Sequence, residues 1–396
     1  MSAAPAAHER LPELARAARH ARRLALDTEF MGEGRYRTLL CLIQLAVPDD
    51  EAKAEEILLL DPLEDSVDPA PLLEVLADPE VEIVVHAGRQ DVALIRRRFG
   101  AEVTNVFDTQ VAAGFAGLSA QASYESLLAD VLGLRVAKTA SFTRWDHRPL
   151  SEEQLSYARE DVVHLHSLAA ALERRLEENG RLEWAREECL PLAQSSDERD
   201  VETILSRLPR ASGLSAASRP VARELVRWRE RTAERNDRPV QSVLGDAALI
   251  EIARRRPTSR GELAKIRGIG AAAGARRAEE LLEVVERGRS LPPDPAPERV
   301  RSPGPRPEEA PLIALAEALL RARAREARLA YELLAARADL QAIVAARRAG
   351  QQADVRTLRG WRMELVGHEL LELLDGRLAL TVENDGGGPS LAIERR

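Results

Sequence analysis

Over the first hundred positions, apolar residues come in short runs closed by turn residues. Arg22 to Phe30, RRLALDTEF, predicts a strand, followed by a loop at Gly32-Glu33-Gly34. Thr38 to Val47, TLLCLIQLAV, predicts a buried strand stopped by Pro48-Asp49-Asp50, and Ile57 to Asp61 a third strand ended by Asp61-Pro62. Three strands in succession suggest an antiparallel meander. The spacing then turns helical around Ala70 to Ala77, and strand Val81 to His86, helix Asp91 to Phe99 and strand Val103 to Phe107 follow. Alternation of that kind predicts an α/β domain, a mixed sheet with helices on its faces. From Asp108 to about Asn179 the pattern is mostly helical.

The later chain changes character. Leu190 to Ser218 is rich in Ser, Arg and Pro, as a connection between domains would be. Arg210 to Arg289 carries 18 Lys or Arg against 11 Asp or Glu, net +7 in a chain of net −8, so the remainder is net −15. Leu291 to Pro311 includes PPDPAPERVRSPGPRP, which predicts a semi-extended linker. The expected organisation is therefore a first domain over 1–190, a connector over 191–215, a helical domain over 216–289, a proline-rich linker over 290–311 and a second small helical domain over 312–386.

Hydrophobic content of 45% with 31% charged residues is that of a globular protein, and 396 residues suffice for two or three domains. The first residues lack the apolar core of a secretion signal, and the longest apolar runs are too short to span a bilayer. A cytoplasmic protein without a membrane partner is expected. Cys41 and Cys189 stand alone, which fits a reducing compartment and excludes a zinc cluster built on cysteine.

Three acidic elements carry the candidate chemistry. Asp27 and Glu29 are two apart on a strand and so project from the same face. Side by side, they raise each other's pKa unless a cation lies between them. Asp91 follows the strand that ends at His86, where helix capping is also a sufficient reason for it. In SEEQLSYAREDVVHL, Ser151 and Gln154 form a capping box, and Tyr157 and Asp161 lie one turn apart on the same helix face, as an ordinary solvated pair would.

Taken together, LALDTEF, HAGRQDVALIRRRFG, NVFDTQVAAGF and TRWDHRPLSEEQLSYAREDVVHL resemble, in order and spacing, the DEDDy 3′→5′ exonucleases, and most closely the ribonuclease D group. The resemblance covers roughly Leu24 to Leu172 and implies a ribonuclease-H-like fold. It also implies two divalent metal ions, Mg²⁺ or Mn²⁺, because phosphodiester hydrolysis of this type uses a pair about 3.5–4 Å apart. Asp27 would bridge both ions, Glu29 and Asp161 would complete one site, and Asp91 would hold the second. Tyr157 would orient the attacking water; with an ordinary pKa of about 10 a phenol is a poor base at neutral pH. Thr28 and Phe30 could line the path of the terminal nucleotide, Trp145 could stack on a base, and Lys138 or Arg148 could meet a phosphate. Core packing or capping would explain these residues equally well. His86 is expected to be structural, and His164 a plain helix residue.

The segment Arg219 to Val285, with LVRWRERTAERNDRPVQSVLGD and the Arg267-Gly268-Ile269-Gly270 turn, resembles the HRDC domain, a small helical nucleic-acid-binding module. TLRGWRMELVGHELLELLDGRLAL in the last domain looks like a degenerate second copy. The implied activity is a metal-dependent 3′→5′ exoribonuclease that trims single-stranded 3′ tails of structured RNA, tRNA precursors among them, and releases nucleoside 5′-monophosphates. It would work as a monomer. A DNA 3′→5′ exonuclease is the nearest alternative, since no motif identifies a contact to the 2′-hydroxyl. A catalytically silent nucleic-acid-binding adaptor is the alternative from another class, and the presence of all four carboxylates and Tyr157 argues against it.

Overall fold

The computed structural model describes residues 7–49, 54–136, 144–269, 275–294, 306–384 and 388–396. The chain forms two compact units: Met1–Glu29 with Cys41–Ser196 and Arg301–Arg396, and Phe30–Leu40 with Asp197–Val300.

In the first unit, helix α1 (Ala7–Ala21) leads into β1 (Arg23–Met31), β2 (Leu39–Asp49) and β3 (Ala54–Leu60). Then come α2 (Ala70–Ala77), β4 (Glu82–Val85), α3 (Arg89–Phe99), β5 (Val106–Asp108) and α4 (Thr109–Phe115). The five strands form one sheet in the order β3-β2-β1-β4-β5. β2 and β3 are antiparallel, from Ile43 opposite Leu60 to Asp49 opposite Ala54. β4 runs parallel to β1, with Arg23 opposite Glu82, and to β5, with Val85 opposite Asp108. The expected mixed sheet is therefore present. Because β1 and β4 are parallel neighbours, the residues that end one and follow the other emerge at the same sheet edge, the carboxyl end where open α/β sheets place ligands.

After the short α5 (Tyr124–Leu127) come α6 (Glu152–Val163), α7 (Leu165–Glu178) and α8 (Leu182–Cys189). Ser151 caps α6 with both halves of the predicted capping box, and the helix packs against β3. α6 and α7 are separate because His164, between them, leaves helical geometry at φ −116°, ψ 2°.

The second unit contains α9 (Val201–Arg207), α10 (Arg219–Arg235), α11 (Val240–Val243), α12 (Asp246–Arg255), α13 (Arg260–Ala264) and α14 (Ala275–Ser290). α10 packs against α9, α12 and α14 around Leu225, Val226, Leu249, Ile252, Leu281 and Val284. Gly288 lets α14 approach α10 closely: a Cβ there would lie 2.5 Å from the Val221 Cα. Arg229, 2% exposed, is held by Asp246 Oδ1 at 2.6 Å. The segment 30–40 belongs to this unit, where Asp237 accepts from Arg35 Nη1 at 2.8 Å and from the Tyr36 amide at 3.2 Å. Gly270 of the predicted turn lies outside the described residues.

The rest of the first unit is α15 (Ala310–Glu326), α16 (Tyr331–Leu334), α17 (Arg337–Arg348), α18 (Gly360–Arg362), α19 (His368–Leu374), β6 (Leu378–Asn384) and β7 (Pro389–Arg395). Two features differ from a separate all-helical module over 312–386. β6 and β7 pair as an antiparallel hairpin, from Leu378 opposite Arg395 to Asn384 opposite Pro389. The helices also share one core with the sheet-bearing segment, in which Ile313, Leu319, Leu334 and Leu370 join Phe107, Leu168 and Leu172. Trp361 is the keystone: its ring lies 5.1 Å from Trp184, stacked, and 5.0 Å from Phe115, edge to face. Arg362 next to it bonds Glu188 Oε2 at 2.6 Å and the Leu333 carbonyl at 2.5 Å. Of the expected linker, 295–305 lies outside the described residues.

Candidate active site

β1 brings Leu24, Ala25 and Leu26 into the core and then runs to the sheet edge, where Asp27 and Glu29 leave it on one face. Thr28 points the other way and is buried at 5% exposure. Its hydroxyl donates to Asp91 Oδ1, so the strand end is tied directly to the first turn of α3. Asp91 itself is 7% exposed.

The turn that delivers Asp91 is fixed from below by Asp108. One carboxylate oxygen accepts from the Ala87 amide at 3.0 Å and the Gln110 amide at 2.8 Å, while the other accepts from the Gly88 amide at 3.0 Å. Asp108 therefore caps α4 and clamps the β4–α3 turn at once. Ala87 takes a left-handed φ of +52° in that turn, and a Cβ on Gly88 would lie 2.5 Å from the Val85 Cβ. Asp108 was not among the predicted site residues. Its signal was an Asp at a strand end directly before a helix, within VFDTQ.

The electrostatics bring the four predicted carboxylates together. Asp27 is held well above the usual carboxylate range by burial, then by the charges of Asp91, Asp161 and Glu29. Burial, Asp161 and Asp91 push Glu29 up to about 8. Asp161 rises to about 7 through burial and the neighbouring Glu125, against a lowering hydrogen bond from Tyr157. Asp91 rises to about 6 through burial, offset by the Thr28 hydroxyl. Among the described residues these like charges converge without a basic partner, an arrangement that a hard cation with oxygen ligands relieves. Among the described residues, no group of three or more His, Cys, Asp or Glu stands close enough together, as placed, to hold a metal ion. The donor set fits divalent cations that also take water and phosphate oxygens as ligands.

Tyr157 faces the same cluster. Burial first, and then Asp161, Glu29 and Asp27, push its phenol upward, so it stays protonated at neutral pH and can donate a hydrogen bond. Trp145 is 5% exposed with its ring 6.1 Å from that of Tyr157, so it supports the tyrosine and is not open for base stacking. Arg148 is committed as well: it pairs with both oxygens of Asp61 and donates to the carbonyls of Cys41 and Trp145, each at 2.7 Å. Phe30 is 36% exposed. Lys138 lies outside the described residues. His86 Nδ1 meets Thr109 Oγ1 at 2.9 Å and its ring lies 5.7 Å from Tyr124, a structural placement. Tyr124, Glu125 and Glu55 surround the cluster without having been singled out. Burial, with Asp161, Glu55 and Asp27 adding charge, raises the Tyr124 phenol, and burial takes Glu55 up to about 8.

A mixed sheet with parallel β1 and β4, four carboxylates converging on its carboxyl edge and a tyrosine one helical turn before the last of them define a 3′→5′ exonuclease; the model of that domain matches residues 4–177 and that of the HRDC domain residues 218–285. Ribonuclease D of Gluconacetobacter diazotrophicus is 38% identical over 91% of this chain and 89% of its own length. That of Granulibacter bethesdensis is 37% identical with the same coverage. The crystal structure of Escherichia coli RNase D, described as an exoribonuclease involved in structured RNA processing, superposes with a TM-score of 0.77 at 28% identity, covering 93% of this chain and 97% of that one. The chain belongs to the ribonuclease D family and is a 3′→5′ exoribonuclease. Exonucleases of this type use divalent metal ions.

Proposed function

We propose that Asp27, Glu29, Asp91 and Asp161 hold two divalent ions, Mg²⁺ or Mn²⁺, and that the chain trims single-stranded 3′ tails of structured RNAs such as tRNA precursors, releasing nucleoside 5′-monophosphates. The observation that carries this reading is the set of carboxylates around Asp27, whose mutual repulsion leaves the site in need of cations. When bound, the ions supply charge neutralisation at the scissile phosphate and a more acidic water. Asp27, at the centre of the set, would contribute to holding both ions, with Glu29 and Asp161 as further ligands for one and Asp91 for the other. Thr28 fixes the Asp91 carboxylate by its hydrogen bond. Tyr157 keeps its proton and orients the attacking water by hydrogen bonding. The basic helical domain adds affinity for the phosphate backbone of the substrate. The enzyme acts as a monomer in the cytoplasm; among the described residues no helix is long and apolar enough to cross a membrane.

The test is degradation of a 5′-labelled, 3′-tailed tRNA precursor and a matched DNA, with Mg²⁺, Mn²⁺ or chelator, beside Asp27→Asn. A metal-dependent ladder that shortens from the RNA 3′ end, and is lost in Asp27→Asn, is expected. Preference for the DNA would overturn the substrate assignment. Binding without cleavage under every metal would leave only the adaptor.

A further inference from the structure

Gln44, in the middle of β2, is 0% exposed, and neither its amide oxygen nor its amide nitrogen bonds any group among the described residues. Orphaned groups of this kind are exceptions in protein interiors. The surroundings within the strand pair offer no partner: Leu42 and Ala46 flank Gln44 on its face of β2, and Leu59 lies opposite on β3. A leucine of similar volume would suit that environment better, so the amide calls for a reason outside packing.

The sheet places that amide beside Asp27. β1 and β2 are neighbours, and the connection over residues 32–38 is shorter than the dozen or so residues that a parallel crossover needs, so the two strands are antiparallel. A Cβ on Gly32 would lie 3.3 Å from the Thr38 Oγ1, so the two ends of that connection stand side by side. Counting inward from them along both strands brings Asp27 level with Ile43 to within one residue. Alternation then decides which side chains share its face. Ala25 and Ala46 both belong to the core that α7 covers, so Asp27, Leu42 and Gln44 project from that same face. Of the two β2 side chains beside Asp27, only Gln44 can hydrogen-bond. Thr28, on the opposite face, already holds Asp91 in this way.

We propose that Gln44 is a positioning residue for Asp27: with the ions bound, its Nε2–H donates to the Asp27 carboxylate and fixes the rotation that presents both oxygens to the metals. This rests on the reading that Asp27 contributes to holding both ions. An amide suits the task because it is neutral. A lysine or arginine at position 44 would cancel the negative charge that attracts the cations, whereas an amide orients the carboxylate and leaves its charge in place. Groups that orient a ligand from behind in this way typically change metal affinity about tenfold to a hundredfold when removed.

Titration of the full chain with Mn²⁺, the free ion being followed by electron paramagnetic resonance, tests this without RNA or turnover. Gln44→Leu and Gln44→Met should each raise the Kd for Mn²⁺ by about tenfold to a hundredfold. Thermal unfolding of the same variants in chelator should give a Tm equal to or above that of the wild type, because an orphaned amide has been removed. Weaker metal binding without loss of metal-free stability separates positioning from packing. The Mn²⁺ concentration for half-maximal cleavage of an RNA tail should rise by the same factor, with the KM for RNA unchanged. A lowered Tm with an unchanged Kd in both variants would make Gln44 a packing residue and overturn the proposal. The Tyr124 hydroxyl is also shielded and unbonded and feels the charge of Asp27. Loss of Mn²⁺ affinity in Tyr124→Phe, with none in the Gln44 variants, would give the role to that hydroxyl and overturn the proposal as well. If the wild type binds no Mn²⁺, the four-carboxylate metal site fails together with this role; equally tight binding by wild type and variants overturns the role alone.

Discussion

Removing one carboxylate from the active site should make the metal-free protein more stable while abolishing its activity, and Glu29→Gln is the sharpest case. Glu29 ionises near 4.5 in an unfolded chain and near 8 in the folded one, through burial and the charges of Asp161 and Asp91. Between those values the folded state holds a proton that the unfolded state has lost. Stability is therefore full below about pH 4.5, falls as pH rises and levels off above 8. Each pKa unit corresponds to about 1.4 kcal/mol, so at pH 7.5 the upper limit is about 4 kcal/mol. Glu29 is partly open to water at the strand end, and screening reduces the expected effect to roughly 1–2 kcal/mol. Urea unfolding in chelator at pH 5, 6, 7 and 8 measures it. Glu29→Gln should match the wild type at pH 5 and exceed it by that amount at pH 8. Adding Mg²⁺ or Mn²⁺ should then stabilise the wild type more than the variant, by about 2.7 kcal/mol at a metal concentration a hundredfold above its Kd. Parallel pH curves for the two proteins, or a variant less stable at pH 8, would refute the reasoning.

Other positions offer equally concrete tests. Asp108→Ala orphans the amides of Ala87, Gly88 and Gln110 and should cost about 2–4 kcal/mol in urea unfolding. It should also lower kcat at saturating metal, because Asp91 loses its anchored turn; full activity in a destabilised variant would show that the turn holds without it. Tyr157→Phe removes the orienting hydroxyl and should lower kcat by about 10²-fold with little change in RNA affinity, and a matched loss of affinity would assign the hydroxyl to binding instead. His166 is 6% exposed and donates from Nε2 to the Ala46 carbonyl at 2.9 Å, with burial lowering its pKa to about 4. The unfolded chain takes up this proton first as pH falls below 6.5, so His166 should account for about 2 kcal/mol lost between pH 7 and 5. Unfolding of His166→Gln over the same range should lack that component.

Much of the site was legible because its signals are local. A period of two places Asp27 and Glu29 on one face of β1, and a single helical turn joins Tyr157 to Asp161 behind the Ser151 capping box. The mixed sheet followed from apolar runs closed by turn residues. What stayed hidden depends on partners distant in sequence. Nothing near Arg148 announces that Asp61 and the Cys41 carbonyl occupy its guanidinium, and nothing near Trp145 says that its ring is spent on supporting Tyr157. The same holds for Trp361, whose neighbours Phe115 and Trp184 lie far back in the chain. The hairpin at Leu378–Asn384 and Pro389–Arg395 has mostly exposed side chains, so its strands lack a clean apolar alternation, and the region passed for a helical tail.

Shared packing between Phe115 and Trp361 also sets a timetable for biosynthesis. The catalytic core is discontinuous in the chain: after Ala185 has been made, Ile313, Trp361 and Leu370 must still follow before its apolar surface can close. At a synthesis rate of about 5–20 residues per second, that wait is on the order of 10–40 s. During it the nascent sheet carries an uncovered apolar face, while α9 to α14 emerge with a core of their own and can fold in the interval. Ribosome-bound chains stopped before Trp361 should therefore bind chaperones and show no nuclease activity. An active nuclease would then exist only once the chain has been made through Leu370.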